Sequence, residues 1–203
     1  MRKDLQSTEY VDDIMVKDII DGYNVNDDGT VTNHGLVHID YIVSPIESFA
    51  ENYIIFKFHD QPVPECCTFN CDELYSSLVN IDIGTYDWRK TFHHFYERDI
   101  FGNPTSKTNM PGENDWGSKR QANYYLADTF SSMTKCDAIC SNRYKASEWA
   151  RRRLVTIYAS INREETNDML GRIYRNGEER FASGELYAEA CLAQAYSLRE
   201  MSQ

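Results

Sequence analysis

The apolar rhythm changes along this chain, and no other feature constrains its fold as much. Between residues 36 and 43, Val37, Ile39, Tyr41 and Val43 alternate with His38 and Asp40, the two-residue period of a strand with one buried face. Residues 53–58 and 79–83 read as two further strands. Behind residue 117 the period lengthens. Ala122, Tyr125, Leu126, Phe130 and Met133 recur at the three- and four-residue steps of one helix face, and Ser118 with Gln121 reads as a capping box. A second helix is expected over about 147–161, with Ala150, Leu154, Ile157, Tyr158 and Ile161 as its stripe. A third is capped by Asn162 and stopped by Gly177, and a fourth covers about 183–201. The reading is an α+β fold, with a small antiparallel sheet in the N-terminal half followed by a C-terminal bundle of about four helices.

Turn chemistry supplies the punctuation. Val11, Ile14, Met15 and Ile19 space a short helix within the first 22 residues, with Gly22 as its stop. Residues 23–32 then carry a hairpin signal, in which Asp28-Gly29 would supply the positive φ angles of a type I′ turn. Pro104, Pro111, Gly102, Gly112 and Gly117 mark 99–117 as a connecting loop. The expected organisation is an acidic, mainly β region over 1–98, that loop, and a helical region over 118–203, all in one domain. A chain of 203 residues, 41% hydrophobic and 13% aromatic, buries a core without disulfide staples and is not wholly disordered. Most of the fourteen tyrosines are expected in that core, with some left for interfaces.

Charge is distributed as unevenly as the rhythm. Residues 1–88 hold four basic side chains against seventeen acidic ones, a net of −13, within a chain whose formal net charge is −11. Residues 143–180 hold nine basic side chains, eight of them arginine, against six acidic. An acidic front repels nucleic acid and anionic membrane surfaces and attracts basic proteins. Asp27, Asp28, Asp40, Asp60, Asp72, Glu73 and Asp82 are therefore the expected partner-binding surface. Arg151, Arg152 and Arg153 form a basic helix, with Arg151 and Arg153 flanking the buried stripe and Arg152 pointing away from it. Pairing of these arginines with the chain's own acidic front, within or between subunits, is favoured over phosphate contact. The N-terminus lacks the apolar core of a signal peptide, and no run approaches eighteen apolar residues, so a cytoplasmic protein without a membrane span is expected.

The chemical motifs are fragmentary. Gly112 to Lys119 approaches a phosphate-binding loop, but Ser118 and Lys119 stand in reversed order and Glu113 and Asp115 would face the phosphates. Cys67-x3-Cys71 and Cys136-x3-Cys140 could supply four thiolates to zinc, yet the spacing is wider than that of a zinc knuckle, and buried reduced thiols are expected instead. His93, His94, Glu97 and Asp99 gather ligand-type side chains, and on a helix His93 and Glu97 would share a face as a metal or acid–base pair. Solvated or hydrogen-bonded histidines are the plainer reading. No cofactor is expected.

The segment from Tyr23 to Asp40 resembles the opening hairpin of small phage-encoded leucine-rich-repeat-like proteins, and Cys67-Thr68-Phe69-Asn70-Cys71 with Leu74 and Leu78 is similar to one of their strand repeats. The resemblance implies a phage origin and carries no catalytic residue with it. Together these features lead to the expectation of a non-enzymatic acidic binding protein. It would be a phage accessory or anti-host-defence factor that blocks a basic nucleic-acid-handling partner by charge mimicry. The alternatives are a virion structural protein with acidic-to-arginine subunit contacts, which would be a homo-oligomer, and a metal-dependent enzyme using His93, His94, Glu97 and Asp99.

Overall fold

Five helices and three short antiparallel ribbons make up the described part of the fold, an α+β arrangement. A computed structural model describes residues 1–82, 94–108, 121–139 and 145–161. The helices are α1 (Val16–Ile19, a single turn), α2 (Ile39–Phe58), α3 (Cys71–Asn80), α4 (Gln121–Thr134) and α5 (Ala146–Ile161). The ribbons pair β1 (Tyr10–Val11) with β2 (Ile14–Met15), β3 (Thr32–Asn33) with β4 (Leu36–Val37), and β5 (Tyr96–Arg98) with β6 (Pro104–Thr108). The helices expected over 162–177 and 183–201, the Ser118 capping box and the loop from Gly112 to Lys119 lie outside the described residues.

The expected N-terminal sheet is replaced by helix. Residues 39–43 and 53–58, read as strand, are the two ends of α2, and Val79 closes α3. Over eight residues a half-buried strand and a helix can leave the same apolar marks. Extended to residue 54, the pattern resolves: Ile39, Ile42, Val43, Ile46, Ala50, Tyr53 and Ile54 are buried at helical steps. Pro45 falls within this stretch. In the structure it sits inside α2, where its ring nitrogen cannot donate to the carbonyl of Tyr41. Polar side chains return along one row of the same helix. Ser44 Oγ donates to the Asp40 carbonyl at 3.0 Å, and Asn52 Nδ2 to the Ser48 carbonyl at 2.7 Å.

The short helix expected within the first 22 residues is also broken up, into a 3-10 turn at Arg2–Gln6, the β1–β2 ribbon and the single turn α1. Asp12 and Asp13 between β1 and β2 both have positive φ, the signature of a type I′ turn. His34 and Gly35 repeat that geometry between β3 and β4. The hairpin expected over 23–32 does form, with Val25 opposite Val31. Its turn differs from the expected type. Gly29 N donates to the Asn26 carbonyl at 3.0 Å and Asn26 N to the Thr30 carbonyl at 2.7 Å, and of Asp27, Asp28 and Gly29 only Gly29 has positive φ. This is a three-residue loop closed by a glycine bulge.

One core gathers these elements. α4 packs against both α2 and α5, while α3 packs against α2 and the 3-10 turn Cys136–Ile139. All residues from Asn123 to Ser131 are buried, so α4 is enclosed on every side rather than along the single stripe expected. Phe130 meets Tyr53 of α2 edge-on, with centroids 5.6 Å apart. Tyr75, Tyr96, Tyr124 and Tyr125 are fully enclosed, which places them with the core rather than at an interface. No helix among the described residues is long and apolar enough to cross a membrane.

Candidate functional site

An open cleft of about 640 Å³ lies where the N-terminal 3-10 turn, the start of α3 and the turn after α4 meet. Its lining includes five carboxylates, Asp4, Glu9, Glu65, Asp72 and Glu73, against two ammonium groups, Lys3 and Lys135. The wall is held together by contacts distant in sequence. Lys3 N donates to Asp27 Oδ1 at 2.7 Å, and Lys3 Nζ pairs with Glu73 of α3. That pairing with Glu73, reinforced by Asp4 and Asp27, raises the Lys3 pKa. Buried Asp4 accepts from Asn70 Nδ2 at 2.9 Å, which ties the 3-10 turn to the entry of α3. Behind this wall, Asp12 receives the N–H groups of Glu65 and Cys66 at 2.7 and 2.9 Å, and these bonds lower its carboxyl pKa.

Only part of the expected acidic surface converges here. Asp72 and Glu73 line the cleft, and Asp27 is bonded to the backbone of a cleft residue. Asp28 turns its carboxylate inward to accept from Thr30 N at 2.9 Å, closing the hairpin loop. Asp60 follows the end of α2 in a left-handed conformation, and Asp82 lies beyond the end of α3; neither lines the cleft. Asp40 is a correction. It is buried and accepts from Tyr124 Oη at 3.1 Å, so it belongs to the core and not to a docking surface.

The basic helix is corrected as well. Arg153 is the most enclosed of the three arginines, at 1% exposure, and its Nε donates to Asp128 Oδ2 of α4 at 2.6 Å. Asp128 Oδ1 also accepts from Tyr75 Oη at 2.7 Å and from Tyr96 Oη at 3.1 Å. The guanidinium carbon lies 4.9 Å from the Tyr96 ring centre and 5.2 Å from that of Tyr124. Burial pushes the Asp128 carboxyl above its ordinary value, against the pull of Arg153 and the tyrosine hydroxyls. Burial likewise opposes the Arg153 charge, but its neighbours outweigh it and its pKa rises. This network is sealed from solvent and holds α3, α4, α5 and β5 together.

The other two arginines pair with Glu148 of their own helix. Arg151 Nη2 stands 3.0 Å from Glu148 Oε1, and Arg152 Nε 2.8 Å from the same oxygen. Arg151 first, then Arg152, holds the Glu148 carboxyl down at about 2. A carboxyl depressed in the folded state stabilises it above the ordinary value and loses that contribution as the pH falls. Helix α5 is therefore expected to lose support between pH 4.5 and about 2. Thermal melts across that window should fall further for the native chain than for Glu148→Gln. Equal slopes would show that the pairs contribute nothing.

The expected metal cluster does not assemble on a helix. Residues 96–98 are strand β5, which puts successive side chains on opposite faces. Half-buried His94 places Nδ1 3.0 Å from the Ile81 carbonyl, and Asp99 accepts from Phe101 N and Asn103 N within its own hairpin loop. His93 and Cys140 lie outside the described residues. Among the described residues no group of three or more His, Cys, Asp or Glu side chains could hold a metal ion. Cys66, Cys67, Cys71 and Cys136 are reduced. Cys71 and Cys136, drawn from different motifs, are both buried in the core.

Two clusters escaped the reading of the sequence. Trp149 and Arg153 stand at the i, i+4 spacing of one helix face, with Ala146 and Ala150 beside them, and all four are buried. An arginine interrupts an apolar stripe, so Trp149 and Arg153 were not read into the buried face, to which Ala150 and Leu154 do belong. Lys3, Asp4 and Asp12 left no signal, because each acts through a partner more than twenty residues away. Comparison with protein-family models, curated proteins and solved structures finds no match to this chain.

Proposed function

We propose that the chain is a non-enzymatic acidic binding protein whose cleft beside α3 receives a basic segment of a nucleic-acid-handling protein. The observation that carries this reading is the acidic lining of one open cleft, where Asp4 pairs with the Met1 amino group and Glu73 with Lys3, and Glu9, Glu65 and Asp72 stand with Lys135. A concave surface of this sign concentrates cationic groups and repels phosphate. Asp72 and Glu73 start α3 from adjacent positions, and Asp27 is brought to them through Lys3, so the charge is held on a folded frame. In the phage setting that the hairpin resemblance suggests, the protein would compete with nucleic acid for a basic groove, in the host cytoplasm, as a mimic of the phosphate backbone.

Anisotropy titration with a labelled arginine-rich peptide tests this. Binding is expected to weaken as salt is added, and Asp72→Lys with Glu73→Lys is expected to lower the affinity about tenfold or more. Both side chains reach solvent, but Glu73 pairs with Lys3 and both carboxylates open α3, so the titration is made at a temperature where circular dichroism shows the variant folded. Unchanged peptide affinity in that variant, or saturable binding of duplex DNA by the native chain, would overturn the reading.

A further inference from the structure

We propose that the basic segment received by the acidic cleft carries one large apolar side chain beside its cationic ones, and that this side chain fills an apolar pocket adjoining the cleft. The inference rests on the acidic-partner reading and narrows it, from a basic segment to a basic segment with a phenylalanine- or leucine-sized anchor.

The pocket encloses about 210 Å³ where the N-terminal arm meets α2 and α3. Val16 of α1, Ile20 just beyond it, Val25 of the hairpin, Phe49 of α2 and Leu74 of α3 line it. These residues come from separate segments, so no local spacing in the sequence marks the site. Val16 and Leu74 are buried and belong to its closed side. Ile20 is half-buried, and Ile19, also in the lining, is exposed and stands at the mouth.

Cleft and pocket share a wall. Asp4, Phe69 and Asn70 line both, so a single layer of side chains separates an acidic site from an apolar one. Consecutive residues of a peptide lie about 3.8 Å apart at Cα, close enough for neighbours to reach the two sites together. The polar groups of the wall are engaged with each other and with the chain start. Asp4 pairs with the Met1 amino group and accepts from Asn70 Nδ2 at 2.9 Å. A cation in the pocket would give up its water for a carboxylate that is already paired, whereas an apolar side chain gives up nothing.

Volume and charge narrow the occupant further. A cavity of about 150 Å³ accepts a benzene ring, while sites for drug-sized molecules and cofactors run from about 300 Å³ upward. The pocket falls between these limits, which suits one large side chain. The acidic lining next door repels an anionic carrier such as a fatty acid and concentrates a cationic one.

Anisotropy titration with labelled peptides tests the pocket. The parent is an all-arginine peptide, in which phenylalanine, and separately alanine, replaces each arginine in turn. Either replacement removes one positive charge, so attraction to the cleft alone predicts weaker binding for both. Phenylalanine at one or more positions is expected to bind about tenfold more tightly than alanine there, the yield of burying one large apolar side chain. That ratio should hold as salt is added, while the affinity of every peptide falls. In Ile20→Trp, whose indole would occupy the pocket, the phenylalanine peptide should bind no tighter than the alanine one. Should that variant unfold, the ratio and its salt independence in the native chain decide the matter alone. If the all-arginine peptide binds and phenylalanine nowhere improves on alanine, this inference falls and the acidic-partner reading stands. If no peptide binds, both fall. A native chain that sizes as a dimer and becomes a monomer in Ile20→Trp would give the pocket to a second copy and overturn the proposal.

Discussion

Arg153→Leu is expected to destabilise the fold by about 3–5 kcal/mol, because it leaves Asp128 as a buried carboxylate without its counter-charge. The tyrosine hydroxyls of residues 75 and 96 would still donate to Asp128, but neither brings charge. Arg153→Lys should recover only part of the loss. An ammonium group keeps the charge, yet it lacks the planar fork that fits between the rings of Tyr96 and Tyr124 while bonding Asp128. The double variant Arg153→Leu with Asp128→Leu is the informative comparison. Removing both charges removes the desolvation cost of both, so it should unfold at higher urea than Arg153→Leu alone. A native-like urea midpoint for Arg153→Leu would mean that this pair is not enclosed as described.

Gly29→Ala is expected to cost about 3 kcal/mol, from two separate causes. Positive φ at residue 29 strains any side chain by about 1–2 kcal/mol, and forcing extra atoms into a packed contact adds about 1–3 kcal/mol. The new Cβ would press into the Glu73 carbonyl group, 2.9 Å from its carbon, and sit 3.0 Å from Ser77 Cβ. Ser77 Oγ already donates to the Gly29 carbonyl at 2.8 Å, so the loop cannot move away without losing that bond. Gly35 is the internal control. Its φ is equally positive, but a Cβ there meets nothing within 4 Å, so Gly35→Ala should show the backbone cost alone. Chemical denaturation of the two variants separates the causes, and equal losses would remove the contact with α3 from the account. Because the same loop carries Asp27 to Lys3, Gly29→Ala should also weaken binding of the arginine-rich peptide.

Much of the local structure was legible in the residues. The turn residues around Gly29 marked a hairpin, and the helical spacing of Tyr125, Leu126 and Phe130 marked α4. The extent of α5 was also read to within a residue, at Ala146–Ile161. What failed were windows too short to separate two periods, as at 36–43, and ribbons of two residues a side that carry almost no pattern. Asp12-Asp13 and His34-Gly35 form tight turns only because neighbouring segments fix them. On the candidate site, charge counting marked Asp72 and Glu73 correctly as accessible and Asp40 wrongly. Formal charge does not reveal whether a carboxylate has a tyrosine hydroxyl waiting for it in the core.

By itself, the sequence determined an α+β chain with an acidic front, a hairpin at Gly29 and at least two helices behind residue 117. These follow from φ preferences and apolar spacing within a dozen residues, where chain connectivity already sets the geometry. Only the tertiary structure decided which charges are exposed. It turned Arg153 inward onto Asp128 and sank Asp40 beneath Tyr124. Each is a pairing of groups at least 25 residues apart. In a low-dielectric interior such a pair outweighs the ordinary preference of a charged or polar side chain for water, and that preference is all that composition can report.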